Sequence, residues 1–275
     1  GVQEEISQGA GRIAGHLGLS NLIMFYDSND IQLSHPTHEV TSEDTGRKYE
    51  AWGWNVLTIP GNDPDAIRDA LRKATAETKR PTLIIGKTCM GKGAMKEDGS
   101  SFENQVSTHG MPLSEAGASF RKSIENLGGN PDDPFVIFPD VKDYYAAKRS
   151  EKIKAAAARK EGEAVWAKEN SELAAKLKLF LSGRTPAIDW EAIALKPGLA
   201  TRAASGVVLG ELAKKVDNMI VTSADLSNSD KTDGYLKNTK AIVRGDFSGK
   251  FLQVGVCELT MSALVNGIAA HGGVL

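Results

Sequence analysis

The chain has 275 residues, 41% of them apolar and 25% charged, with a net charge of −2. That length supports one large or two ordinary domains, and the near-neutral balance, with no basic stripe interleaved with aromatics, gives no footprint for nucleic acid. No apolar run approaches the ~20 residues needed to span a membrane, and two distant cysteines, Cys89 and Cys257, argue against a disulfide framework and for a reducing cytoplasm.

In chain order, Ile6, Ala10, Ile13, Ala14 and Leu17 recur at helical spacing, with Gly18 as the C-cap. A strand over residues 21 to 26 follows, and after a polar loop "WNVLTI" (54 to 59) reads as a second strand. A helix opens with Asp63 as N-cap and Pro64 at its first position, with Pro81 beyond its end. "TLIIGKT" (82 to 88) is a third strand, continuously apolar as expected when both sheet faces are covered. This alternation predicts a parallel, doubly wound α/β sheet.

Residues 89 to 112 are Gly-rich and irregular, and a helix is expected over 114 to 127. From Val141 to about Ser182 the composition turns to Lys, Glu and Ala, which predicts a long helical connector. A second α/β unit begins near Leu199. It comprises a helix in "RAASGVVLGELAKKV", a strand over 218 to 225, another in "AIVRGD" and a helix in "ELTMSALVNGIAAHG". The expected division is therefore 1–140, a linker over 141–198, and 199–275. Gly1 leads at once into a helix without an initiator Met, and "NGIAAHGGVL" stops as a strand is due. The sequence reads as an internal segment of a longer polypeptide.

Ligands of open parallel sheets bind beyond the carboxyl ends of the strands. Asp27 and Asn29 stand at such an end and offer hard oxygen ligands for Mg²⁺ or Ca²⁺; an Asx turn accounts for them equally well. "KTCMGKGA" (87 to 94) permits close backbone approach but is no Walker loop. His109, between glycines, suits proton transfer or phosphate binding, or is a plain surface residue. Asp225, with Ser227, Asn228 and Ser229 behind it, marks a second strand end or a cap. Glu258 begins a helix, either as a carboxylate favoured by the macrodipole or as an acid-base group.

Taken together and in order, "EEISQGAGRIAGHLGLSNLIMFYDSNDIQLS", "KTCMGKGA…STHGMPL", "ATRAAS", "SADLSNSDKT" and "VGVCELTMSALVNGIAAHGG" resemble the transketolase family over nearly the whole chain. The resemblance implies thiamine diphosphate and Mg²⁺ as cofactors, with Ca²⁺ as a substitute, and the thiamine diphosphate-binding fold. It also implies a cytoplasmic homodimer with its active site at the subunit interface. The implied reaction is reversible two-carbon ketol transfer from a ketose phosphate to an aldose phosphate, in the pentose phosphate pathway. Another thiamine enzyme, such as dihydroxyacetone synthase or deoxyxylulose-phosphate synthase, or a catalytically inactive truncated segment, is the alternative.

The resemblance implies metal ligation by the Asn29 side chain and the Ile31 main-chain carbonyl, with Asp27 as the neighbouring carboxylate. His109 corresponds to a histidine touching cofactor diphosphate and substrate, and Met90 to an apolar residue packed on the cofactor. Glu258 corresponds to the glutamate that hydrogen-bonds the pyrimidine ring nitrogen from the partner subunit, and Leu226 to the residue wedged beneath the bent cofactor. Asp225 lies near the thiazolium, Arg202 and Ser229 hold the sugar phosphate, and Glu4 joins an interface proton network. Three positions depart from the pattern. Gly9 stands where many relatives carry a glutamate, and Cys257 and Leu259 where Arg and His are frequent. The Gly-Asp-Gly that precedes this stretch in the family, with its metal carboxylate, is absent from the sequence.

Overall fold

The computed structural model describes all of residues 1–275. It divides into two compact units, residues 20–161, and residues 162–275 together with 1–19.

The 20–161 unit is built on three parallel strands, β1 (Ile23–Ser28), β2 (Asn55–Pro60) and β3 (Thr82–Lys87), in the order β1-β3-β2. The registers Asp27↔Gly86 and Ile59↔Gly86 put all three carboxyl ends at one edge. β3 is central, and Thr82, Leu83, Ile84 and Ile85 are buried, which is why its sequence lacks the alternation of a half-exposed strand. Between β2 and β3 lies a helix over Pro64–Ala76, and the Asp63 carboxylate caps it by accepting from the amides of Asp65 (2.9 Å) and Ala66 (3.3 Å). Its Ala70 and Ala74 pack with Ile84 against Ile23, Leu57 and Ile59.

The polar stretch before β2, expected to be loop, contains a helix over Thr45–Ala51 whose Asp44 cap accepts from the Arg47 amide at 3.0 Å. The helix is short and carries Gly46, so propensity hides it. Packing secures it instead: Tyr49 is fully buried, edge-on to Trp52 and Trp54. The helix expected over 114 to 127 is shortened to Phe120–Asn126. Gly117, at φ +109°, ends a preceding turn, and Ser119 caps the true start by accepting from the Lys122 amide.

In the other unit the sheet is reduced to two parallel strands, β4 (Val221–Ser223) and β5 (Phe251–Gln253), paired Ser223↔Gln253. The strand expected in "AIVRGD" does not form. Ala241 and Val243 make only isolated bridges, because the chain reverses at Gly245 and Val243 pairs locally with Asp246. Four helices matter here: α1 (Glu5–Leu17), ended by Gly18 at φ 68°; α2 (Thr201–Lys215); α3 (Ser227–Asp230); and α4 (Glu258–His271). Ile13 and Leu17 of α1 form one core with Ala224, Leu252 and Val254, to which Cys257, Met261 and Leu264 add. A second core gathers Ala213, Val221, Tyr235 and Phe251. The connector expected over 141 to 182 forms two helices, Pro139–Glu169 and Ser171–Leu181, neither with a buried residue.

Candidate active site

In the 20–161 unit the carboxyl ends of β1 and β3 are neighbours, and the segments leaving them brace one another. The Asp27 carboxylate accepts a hydrogen bond from the Thr88 hydroxyl, and Lys87 Nζ reaches Ser28 Oγ at 2.9 Å. Asn29 Oδ1 accepts from the Ile31 amide at 3.0 Å, the Asx turn that local chemistry anticipates. This turn orients the amide side chain while leaving its oxygen further acceptor capacity. Asp30 takes the left-handed conformation (φ 60°), its carbonyl accepting from the Thr37 amide at 2.8 Å and its carboxylate meeting His38 Nδ1 at 2.9 Å.

The segment after β3 is pinned by side chains. Asn62 accepts from the Cys89 amide at 2.8 Å, and Asn104 and Met90 exchange hydrogen bonds of 3.1 and 2.9 Å. Glu103 accepts from the Gly93 amide at 2.8 Å, and this bond holds its carboxyl below the usual carboxylate range. Burial, with Glu103 nearby, pushes the Cys89 thiol up. Gly91 sits at φ +64°, where a Cβ would stand 3.2 Å from Thr108 Cγ2, so glycine answers both the backbone and the approach. Thr108 leads directly into His109, whose Nδ1 is buried without a hydrogen-bond partner. Beyond it, a Cβ on Gly110 would meet Leu33 Cδ1 at 2.8 Å, which seats this loop on the hairpin carrying Asn29 and Ile31. The fold thus draws Asp27, Asn29, Ile31, Met90 and His109 to one end of one sheet.

The second unit repeats the principle. Asp225 and Leu226 follow β4, and Glu258 follows β5, so the carboxyl ends of two adjacent parallel strands carry them. Asp225 is exposed at φ 67°, and Leu226 presents an apolar side chain to the surface, 46% exposed. Ser223 Oγ organises the turn, accepting from the Leu226 amide at 3.1 Å and donating to Asp230 at 3.2 Å. Ser229 lies on α3, exposed. Arg202 lies in the first turn of α2, one turn before Gly206, which abuts Lys231 just past α3. Glu258, exposed, is the first residue of α4. Glu4 is exposed at the N-cap of α1 and makes no capping bond.

Sequence reasoning did not find Arg12 or Thr260. Arg12 Nη2 donates to the Val254 carbonyl at 2.9 Å and approaches Cys257 Sγ at 3.5 Å. A Cβ on Gly9 would lie 2.3 Å from Thr260 Oγ1. The available signal was that Gly9, Arg12 and Ile13 share one helical face.

For a thiamine diphosphate the donor set fits in kind. The orphaned His109 nitrogen suits a diphosphate oxygen, and the Asn29 side chain with the Ile31 carbonyl offers oxygen donors to a hard cation. Nowhere do three His, Cys, Asp or Glu side chains come together to hold a metal, so any cation here would also rely on ligands from the cofactor, water or further chain.

Residues 1–186 match the family described as transketolase, thiamine diphosphate binding domain, and residues 197–275 that described as transketolase, pyrimidine binding domain. Fold and site together therefore define a thiamine diphosphate-binding α/β protein. Within that class the chain belongs to the transketolase family. It is 37% identical over 282 residues to the transketolase of Bacillus subtilis and 36% identical to transketolase 1 of Vibrio cholerae. Each alignment covers 99% of this chain and about 40% of the relative. Among solved structures, a transketolase of Pichia stipitis in complex with sedoheptulose 7-phosphate superposes with a TM-score of 0.85 at 30% identity, over 98% of this chain and 40% of that one. The transketolase of Leishmania mexicana superposes with a TM-score of 0.86 at 29% identity, over 99% and 40%. The chain thus spans about two-fifths of the relatives it matches.

Proposed function

We propose that this chain is part of a transketolase, which moves a two-carbon ketol unit from a ketose phosphate to an aldose phosphate with thiamine diphosphate and a divalent cation. What supports the reading is the continuity of the family match through both units, each with its matched polar residues at adjacent strand ends. When bound, thiamine diphosphate supplies an electron sink for cleaving the carbon–carbon bond beside a ketose carbonyl.

The chain's residues do the rest. His109 offers its buried ring nitrogen to the diphosphate. The Asn29 side chain and the Ile31 carbonyl would hold Mg²⁺ as oxygen ligands, with Asp27, tethered by Thr88, as the carboxylate beside it. Met90 and Leu226 would give apolar surface to the cofactor, and Asp225 would offer a carboxylate to it. Glu258 would hold a proton toward the pyrimidine ring nitrogen through its carboxylate. Arg202 and Ser229 take the sugar phosphate, since a guanidinium fork matches phosphate oxygens. Two copies assemble so that Glu258 of one serves the cofactor held by the other, with Glu4 at that interface. The setting is the cytoplasm and the pentose phosphate pathway.

The test is a two-carbon transfer assay with xylulose 5-phosphate, ribose 5-phosphate, Mg²⁺ and thiamine diphosphate, run on the chain alone and on a longer polypeptide that carries it. Cofactor-dependent transfer by the longer polypeptide is expected. Cofactor binding without transfer in it would keep the thiamine site and reject these substrates.

A further inference from the structure

We propose that Arg12 is a positioning residue for Glu258, an inference that rests on the role given to Glu258 above. Helix α4 begins without a side-chain cap. Cys257 occupies its N-cap position at φ −162° and ψ 62° and makes no capping bond. Such a helix start leaves its first amides unpaired, and the direction of the first side chain depends on whatever holds the approach. That approach is Val254 to Cys257. It contains Gly255 at φ 74° and Val256, 77% exposed, neither of which fixes it.

Arg12 does. Its Nη2 bonds the first residue of the approach through the Val254 carbonyl (2.9 Å) and reaches the last through Cys257 Sγ (3.5 Å). The Cys257 thiol itself donates to the same Val254 carbonyl at 3.3 Å, so three groups close on one another just before Glu258. The anchor is fixed in turn. One residue on, Ile13 is buried in the core that includes Leu252 and Val254 and packs against Cys257 and Met261. One turn back, Gly9 lies against Thr260. A guanidinium can address two acceptors in its plane at once, which a lysine ammonium on a flexible stem does less well. α1 therefore holds the segment that aims Glu258, and it does so through a side chain that touches no reacting atom.

A double-mutant cycle in the full-length enzyme tests this, read as thiamine diphosphate affinity by calorimetry with Mg²⁺ present. Arg12→Met is expected to weaken cofactor binding about tenfold or more, and Arg12→Lys to recover part of the loss. In a Glu258→Gln background, Arg12→Met is expected to change nothing further, because its effect runs through the carboxylate. Full additivity of the two losses, or wild-type affinity in Arg12→Met, would overturn the inference. If Arg12→Met does not fold, Arg12→Lys carries the same comparison in both backgrounds. Glu258→Gln with unchanged affinity and turnover would instead bring down the role of Glu258 itself, an outcome read before Arg12 is touched.

Discussion

Gly9 of α1 lies so close to Thr260 of α4 that a Cβ on it would stand 2.3 Å from Oγ1 and 2.8 Å from Cγ2. Thr260 is buried, so it cannot swing into solvent. In an exposed helix a Gly-to-Ala change gains about 1 kcal/mol. Here the sign reverses: Gly9→Ala should destabilise by about 1–3 kcal/mol through overpacking. Thermal unfolding of Gly9→Ala, Thr260→Ala and the double variant checks it, with the double variant recovering part of the loss. A Gly9→Ala variant of raised Tm would show that the two helices are not held at this distance.

The two fully buried tyrosines should answer the same substitution with opposite signs. Tyr49 packs edge-on against two tryptophans, and its hydroxyl finds no partner. Tyr235 donates to the Met219 carbonyl at 2.7 Å. An unpaired buried hydroxyl costs about 1–3 kcal/mol, so Tyr49→Phe should raise stability, whereas Tyr235→Phe orphans a carbonyl and should lower it. Denaturant unfolding of the two variants decides the matter.

Tyr235 also carries a pH signature. Burial pushes its phenol up to about 12 from an ordinary value of 10. The folded chain keeps a proton that the unfolded chain releases. Its contribution is therefore present in full below the ordinary value and is lost as pH climbs toward the raised one. Alkaline unfolding should show a loss of stability between about pH 10 and 12 that Tyr235→Phe removes.

His109 predicts a selective defect. Its buried, unpartnered Nδ1 is assigned to the diphosphate, so His109→Phe should weaken thiamine diphosphate about tenfold or more, the loss of a charge-assisted hydrogen bond. Thiamine itself, without the diphosphate, should bind the variant and the parent alike. Equal losses for both ligands would remove His109 from the diphosphate.

Glu258→Gln keeps the size of the side chain and removes its charge. Turnover in the full-length enzyme should fall by several orders of magnitude while substrate still binds, as expected for a proton-transfer group. Near-normal turnover would sink the role.

Much of the first unit was legible because its signals are local. The apolar run of β3 and the Asp63–Pro64 start of the helix before it each declare themselves in a few residues, as does the Gly18 stop of α1 in the other unit. The second unit was harder, since its strands are only three residues long and its expected strand at Ala241 dissolves into a local turn. Tyr49 shows why a helix can hide in a polar stretch: its burial between two tryptophans is a tertiary fact. At the candidate site, strand-end geometry pointed to Asp27, Asn29 and Asp225, a helix start to Glu258, and the family resemblance named Ile31, Leu226 and Arg202. The departures at Gly9 and Cys257 became intelligible only once Thr260 and Arg12, some 250 residues away in sequence from each, were seen beside them.

Asp225 holds a backbone conformation (φ 67°) that glycine enters freely and that costs a side-chain-bearing residue about 1 kcal/mol. The turn after β4 is already tied by Ser223, so its geometry does not call for a carboxylate. Asp225→Gly thus offers a clean dissection: a substitution that eases the chain while deleting the acid. A variant as stable as its parent yet impaired in turnover would assign the whole deficit to chemistry, with no share left for misfolding.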